Sequence, residues 1–339
     1  MSTGEYVNVT SFEAPKGFTA LAFAKTGILL AGGADGSLRV YDLSPAAQRA
    51  LCKAIKGLPD EISGVCCQPN KLPPVAFGKV WVASGKRIWL FNLDSDKLVI
   101  TSQEAEDVVT LIEEDDGDED NVLNQIAVSK DILAYSCDSG AVGVYDTQTK
   151  KRRVMKAMHS SGLDLATPAS TADSPISLVP PFLYSVTIDS NGAMAAGTAD
   201  GRVIVGRGGE KGRGDRPNRR KWNGLNVDMV SQYHIAEGPV VGVAWVGPFE
   251  LLSVTLRGRV KHFRLPESQA QMGSTNNDME VRTLWETYTT KVDKVDCLAV
   301  FTDSDNVLHI AIGGLTPNGR GSVEIWKRRC KCKAEAQAQ

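Results

Sequence analysis

Residues 28–42 read ILLAGGADGSLRVYD. An apolar run ends at Ala34-Asp35-Gly36, and Leu38 and Val40 then alternate with polar neighbours before Tyr41 closes the stretch. Alternation at period two marks a strand with one buried face. Asp-Gly between two such runs is a tight-turn signal. Glycine adopts positive φ without a Cβ clash, and aspartate bonds to nearby backbone. The stretch reads as a β-hairpin.

The hairpin recurs. Further copies of its turn and second strand are SGKRIWLFN (84–92), CDSGAVGVYD (137–146), ADGRVIVGR (199–207), LRGRVKHFR (256–264) and GRGSVEIWK (319–327). Gly36, Gly85, Gly140, Gly201, Gly258 and Gly321 fall at or near the turn, and Asp35, Asp138 and Asp200 precede it. The first strand of each hairpin is apolar: ILLAGG, VWVAS (80–84), ILAYSC (132–137), AMAAGT (193–198), LLSVT (251–255) and HIAIGG (309–314). Upstream of each lies another apolar run: TALAF (19–23), SGVCC (63–67), NQIAV (124–128), LYSVTI (183–188), VVGVAW (240–245) and VDCLAV (295–300). Fainter candidates for a fourth, outer strand are ALCKAI (50–55), KLVIT (97–101), RRVMKAM (152–158), VSQYHIA (230–236) and RTLWETY (282–288). Labelled a to d from the inside out, four antiparallel strands repeated radially form the blades of a β-propeller. A β-sandwich would not require its strands to recur as matched triplets.

The last unit shows only three strands, and the tail after it is too charged to supply a fourth. The segment EYVNVTSF (5–12) carries loosely alternating Tyr6, Val7, Val9 and Phe12. It is expected to return as the outer strand that closes the propeller.

The turns followed by VYD (40–42, 144–146) and EIW (324–326) resemble WD40 repeats, in degenerate form. No copy keeps a literal Trp-Asp ending, and no Gly-His dipeptide opens a blade. Order and spacing are most similar to the WD repeat-containing protein 53 subfamily and its fungal relatives. The resemblance spans most of residues 15–327. It rests on SCDSGAVGVYDTQTKK (136–151), NGAMAAGTADGRVIVGRGGEKG (191–212) and EGPVVGVAW (237–245). It implies a single all-β WD40-type β-propeller over residues 1–327 with six recognisable blades. The family has seven, so one blade is missing or degenerate. The gap falls at 157–181, where the interval between successive aromatic positions lengthens to 61 residues, Tyr145 to Gly206, from 50 and 54 earlier. A six-bladed ring, an open seven-bladed ring and a shortened gene product all fit that gap.

Composition bounds the function. The chain has 339 residues, is 42% hydrophobic and carries a net charge of -2, so a chain that works chiefly by coating nucleic acid is not expected. No apolar run is long enough to span a membrane as a helix, and MSTGEYVNVT lacks the features of a secretory leader. Seven cysteines with no framework spacing read as reduced thiols, which suits a cytoplasmic and/or nuclear protein. Cys330-x-Cys332 lacks a second pair for zinc. His159, His234, His262 and His309 show no metal-ligand spacing, and His262 takes an inward position. No nucleophile motif appears, so the reading carries no catalytic, cofactor or metal residues and no enzyme.

Charged insertions remain. EEDDGDED (113–120) places seven carboxylates in eight positions without calcium-loop spacing, and reads as a solvated loop. Residues 202–222 hold eight Arg or Lys against Glu210 and Asp215, a net of +6. Within them the Gly-rich 207–222 stretch reads as a flexible insertion in a c–d loop. Its Arg213, Arg216, Arg219, Arg220 and Lys221 are candidates for phosphate contact or a nuclear signal. Residues 266–281 read as a linker, and 328–339 as a basic, polar tail. Candidate partner contacts are the b–c turn cations Lys86, Arg87, Arg202, Arg257, Arg259 and Arg320. They would form a basic rim for acidic peptides, gated by the acidic loop.

The expected function is a non-enzymatic interaction scaffold for proteins or peptides, monomeric when alone. The resemblance implies a substrate receptor or adaptor of a cullin-4-type ubiquitin ligase. The adaptor-docking signature would need a basic residue where Ser44 and Gln148 stand. The alternative is an RNA- or ribosome-associated factor using the basic insertion and tail, through salt-sensitive phosphate contacts.

Overall fold

The computed structural model describes residues 6–24, 27–44, 49–68, 77–112, 121–139, 141–155, 183–189, 193–208, 225–266 and 281–328. Among these residues the only helical element is a single 3-10 turn at Ser102–Glu104; all other regular structure is strand. The architecture is an all-β, six-bladed β-propeller.

The first strand, β1 (Tyr6–Ala14), is considered last. The first sheet is β2 (Phe18–Phe23), β3 (Ile28–Gly33), β4 (Leu38–Asp42) and β5 (Leu51–Lys56). The second contains β6 (Ile62–Cys67), β7 (Lys79–Ser84) and β8 (Arg87–Asn92). Two short strands follow, β9 (Val99–Thr101) and β10 (Asp107–Thr110). The third sheet is β11 (Leu123–Ser129), β12 (Ile132–Cys137), β13 (Val142–Asp146) and β14 (Lys151–Met155). The fourth is β15 (Leu183–Ile188), β16 (Ala193–Thr198), β17 (Arg202–Gly208) and β18 (Leu225–His234). The fifth is β19 (Val240–Gly247), β20 (Glu250–Thr255), β21 (Arg259–Arg264) and β22 (Arg282–Tyr288). The sixth is β23 (Lys294–Thr302), β24 (Leu308–Leu315) and β25 (Gly321–Arg328), with β1 as its fourth and outermost member. The N-terminal strand thus completes the last sheet.

KLVIT does not form the outer strand of the second blade. Its β9 pairs in parallel with β5, setting Ile100 opposite Ile55, and becomes a fifth strand of the first sheet. Burial explains the choice. Ile100 drops into the apolar cluster of Leu38, Val40 and Ile55, and the Lys53 ammonium is held by the carbonyls of Ser95 and Lys97 on the connecting turn. The outer strand of the second blade is β10, antiparallel to β8.

Two compact units divide the chain. One holds residues 7–161 and 299–328; the other holds residues 162–298 together with Tyr6. Each has its own core. In the first, Leu30, Val40, Ile62 and Phe91 bind the first two sheets together, and Trp81, Ile88, Leu133 and Tyr145 bind the second to the third. In the other, Ala195, Val203, Val240, Leu251 and Phe263 join the fourth and fifth sheets. The packing rule repeats: the inner strand of one blade lies across the sheet before it. Small residues permit the approach. A Cβ on Gly32 would stand 2.4 Å from Ile62 Cγ2, and one on Gly197 would stand 2.5 Å from the Val240 carbonyl.

Candidate functional site

The turns between b and c strands are held from below by their own hairpins. Gly201 shows the constraint best. Its φ is +85°, and a Cβ there would lie 1.8 Å from the Ala236 carbonyl oxygen. The flanking residues lock the turn: Thr198 Oγ1 donates to Asp200 Oδ1 (2.5 Å) and accepts from the Arg202 amide (3.0 Å). Asp35 does the same work in the first blade, accepting from the Ser37 amide at 3.1 Å and pairing with Arg39 at 2.6 Å. Partial burial pushes the Asp35 carboxyl up, but the hydrogen bond and charge of Arg39 outweigh it and hold the group below the ordinary carboxylate range. Asp35 and Asp200 therefore form turns, as their sequence positions suggest.

The six candidate rim cations divide by their partners. Arg202 is held by Asp200 (Nε–Oδ2 3.1 Å) and by the Gln232 side chain (3.1 Å). Arg259 donates to Glu286 at 2.8 Å, which holds its guanidinium in the charged form. Arg257 and Arg320 have looser partners, Asp293 at 3.8 Å and Glu13 at 3.4 Å, and their side chains are 81% and 59% exposed. Arg87 is exposed, and the Lys86 carbonyl accepts from the Leu111 and Ile112 amides, anchoring that turn to the end of β10. Exposed ion pairs contribute about 0–1 kcal/mol. Arg257 and Arg320 can therefore exchange their acids for a ligand's at little cost.

The acids after Tyr41 and Tyr145 cap their own turns. Asp42 accepts from the Ser44 amide at 2.9 Å, and Asp146 from the amides of Gln148 (3.0 Å) and Thr149 (2.9 Å). Lys150 pairs with Asp107 of β10, which holds its ammonium in the charged form.

Sequence reading missed a polar chain beneath the fifth blade. Tyr6 meets His262 Nδ1 at 3.1 Å through its hydroxyl, His262 Nε2 meets Glu250 Oε2 at 3.2 Å, and Arg264 pairs with the same carboxylate. His262 is 1% exposed and Tyr6 4%. The Tyr6 ring packs on Trp285 at 4.5 Å between centroids. Burial alone would raise the Glu250 carboxyl; Arg264 and His262 reverse that and hold it below the ordinary range. The inward position of His262 was legible, but partners 256 residues away were not. His309 pairs with Asp303 at 2.8 Å and is also structural.

Arg213, Arg216, Arg219, Arg220 and Lys221 lie outside the described residues, as do the acidic 113–120 stretch, His159, Gly140, the 157–181 gap and Cys330 and Cys332. The strands flanking the basic insertion are described: β17 and β18 pair from Arg202–His234 out to Gly208–Leu225, so the insertion joins strands c and d. Among the described residues no three His, Cys, Asp or Glu side chains come together as a metal set. Cys66 and Cys67 on β6 are free thiols; burial pushes both up, Cys67 to about 11. Among the described residues no helix is long and apolar enough to cross a membrane.

A second feature had no sequence signal. On β15, Tyr184, Val186 and Ile188 are 52%, 45% and 65% exposed, although β15 is an inner strand.

A family-model match agrees with the β-propeller architecture. A family model described as the LRRK2 beta propeller matches residues 18–206. No curated protein matches the chain. Among solved structures, the β-propeller domain of Cps50 (Swd1) from Myceliophteria thermophila aligns over 95% of this chain and 99% of its own, at 12% identity and a TM-score of 0.47.

Proposed function

This chain belongs to the LRRK2 β-propeller family, and from that premise we propose that it acts as a non-enzymatic protein-interaction scaffold whose b–c turns receive acidic peptide segments. One observation carries the reading. The turn cations separate into a held set and an available set. Arg202 and Arg259 are committed to close partners, whereas Arg257, Arg320 and Arg87 stand exposed on stiff hairpins. Rigid presentation lowers the ordering entropy that binding costs, and the loose acids at Asp293 and Glu13 are displaceable.

The finer reading, a substrate receptor of a cullin-4-type ubiquitin ligase, has the WD40 resemblance as its support. In it the adaptor would meet the turns after Tyr145-Asp146, near Lys150 to Arg153. The basic insertion and tail would add phosphate contacts.

The test is fluorescence anisotropy of a labelled Asp/Glu-rich peptide at moderate salt. Wild type should bind, and Arg257→Glu and Arg320→Glu should each weaken binding while Arg202→Gln retains most of it. Equal binding by wild type and both charge reversals would sink the reading.

A further inference from the structure

We propose that Asn318 is a self-modification site: in the folded protein its carboxamide is lost as ammonia after attack by the Gly319 backbone nitrogen, leaving a carboxylate two residues from Arg320. The site stands apart from the scaffold reading, and only its effect on peptide capture rests on that reading.

Thr316, Pro317, Asn318, Gly319 and Arg320 join β24 to β25. The turn closes through two backbone bonds, from the Thr316 amide to the Arg320 carbonyl (2.8 Å) and from the Gly319 amide to the Thr316 carbonyl (2.9 Å). The Thr316 hydroxyl adds two more, donating to the Arg320 carbonyl at 3.1 Å and accepting from the Arg320 amide at 3.2 Å. All of these bonds hold backbone or Thr316. Among the described residues none hydrogen-bonds the Asn318 side chain. Pro317, Asn318, Gly319 and Arg320 are exposed, so water reaches the carboxamide.

Ring closure depends on the residue after the asparagine, because its backbone nitrogen must approach the asparagine Cγ. Gly319 presents that nitrogen bare: its φ is +72°, and nothing lies within 4 Å of where a Cβ would stand. The other described asparagines lack this approach. Asn8, Asn121 and Asn306 each precede a valine, whose branched Cβ crowds the backbone beside it. Asn8 and Asn121 are also held, by Glu324 at 3.0 Å and by the Ser139 amide at 3.1 Å. Asn92 precedes Leu93 and accepts from the Asp94 amide at 3.0 Å. Among the described residues only Asn318 precedes a glycine.

The Gly319 N–H bond to the Thr316 carbonyl opposes the reaction, since it must open before the nitrogen can attack. An exposed bond of this kind slows the step by roughly tenfold at most. The Gly319 nitrogen then gives its proton to hydroxide and bonds to Asn318 Cγ. The Cγ–Nδ2 bond breaks, the nitrogen takes a proton from water and leaves as ammonia, and a succinimide ring closes. Water opens that ring. Addition at Cγ gives aspartate; addition at the Asn318 backbone carbonyl gives isoaspartate, with the chain running through the former side chain. Nothing is oxidised or reduced. Arg320 is the turn's one charged residue, so either product balances its charge within the turn. The new carboxylate competes with Glu13, whose contact with Arg320 is a loose 3.4 Å. On the scaffold reading, acidic-peptide capture by Arg320 weakens as the protein ages.

The test is to incubate the folded full chain at mildly alkaline pH and map its peptides by tandem mass spectrometry. Asn318 should gain the mass that exchange of an amide for an acid brings, and its peptide should split into aspartate and isoaspartate forms. Asn306, also exposed and in a turn but followed by Val307, should stay unchanged and serves as the internal control. Asn191-Gly192 and Asn223-Gly224 lie outside the described residues and share the dipeptide, so fragment ions must assign the change. Gly319→Ala should slow the gain several-fold, and Asn318→Gln should abolish it. A folded chain that keeps the Asn318 amide while the urea-unfolded chain loses it would overturn the inference, because the turn would then protect the site. Equal gains at Asn306 and Asn318, or an unslowed Gly319→Ala chain, would overturn it as well.

Discussion

Truncating Tyr6 should loosen the N-terminal strand by a predictable amount. Its side chain contributes two separable things. The hydroxyl bonds to His262 at 3.1 Å in a site closed to water, and a neutral hydrogen bond of this kind contributes about 0.5–1.5 kcal/mol net. His262 is itself bound to the Glu250 carboxylate, which favours the upper half of that range. The ring fills the space against Trp285, and removing a buried aromatic costs about 3–5 kcal/mol. Tyr6→Phe should therefore cost about 1–1.5 kcal/mol, and Tyr6→Ala several times more. Val9→Ala, on the same strand but at a 45% exposed position, should cost little and serves as the control. Urea unfolding followed by tryptophan fluorescence reads all three, with Trp285 reporting from beside the site. If Tyr6→Ala costs no more than Val9→Ala, the strand is not anchored through this residue and the reasoning fails.

Two further outcomes follow from the same geometry. Gly201→Ala should destabilise more than Gly319→Ala, by differential scanning calorimetry. Both positions have positive φ, which costs a non-glycine residue about 1–2 kcal/mol, but only Gly201 has a carbonyl in the way, and Gly319 has nothing within 4 Å. Acid should weaken the protein partly through Glu250. Its folded pKa is lowered, so its contribution is complete above the unfolded value of about 4.3 and is lost as pH falls through the folded one. Glu250→Gln should therefore be less stable than wild type near neutrality, with the gap closing below about pH 4 in a pH series of melts; a gap that persists there would show that packing, not charge, is the cause.

The repeat made the fold legible. A turn glycine and two alternating apolar positions fix one hairpin each, and those signals are local. Outer strands were harder because they are half exposed and weakly patterned. KLVIT alternates as well as β10 does, and only the apolar cluster around Ile55, set by tertiary packing, decides that Ile100 enters the first sheet. The site was legible as a set of cations but not as a set of pairs. Nothing local tells Arg259, which has Glu286 at 2.8 Å, from Arg257, whose acid stands 3.8 Å away. The exposure of Tyr184, Val186 and Ile188 was invisible for a related reason: LYSVTI reads like any inner strand, and its exposure depends on what the rest of the chain leaves uncovered.

The sixth sheet has a consequence for synthesis. Its outermost strand β1 is made well before its neighbour β25. Asn8 and Glu324 bond at 3.0 Å across 316 residues of sequence. At translation rates of about 5–20 residues per second, β1 waits roughly 15–60 s for its partner. During that time Tyr6, Val7 and Phe12 belong to a nascent strand with no sheet to join. Closing so long a loop also places this protein among slow folders, because the entropy is spent before the contacts return it. β1 must be shielded until β25 has left the ribosome, and a chain released before then would leave both β1 and β24 with an unpaired edge.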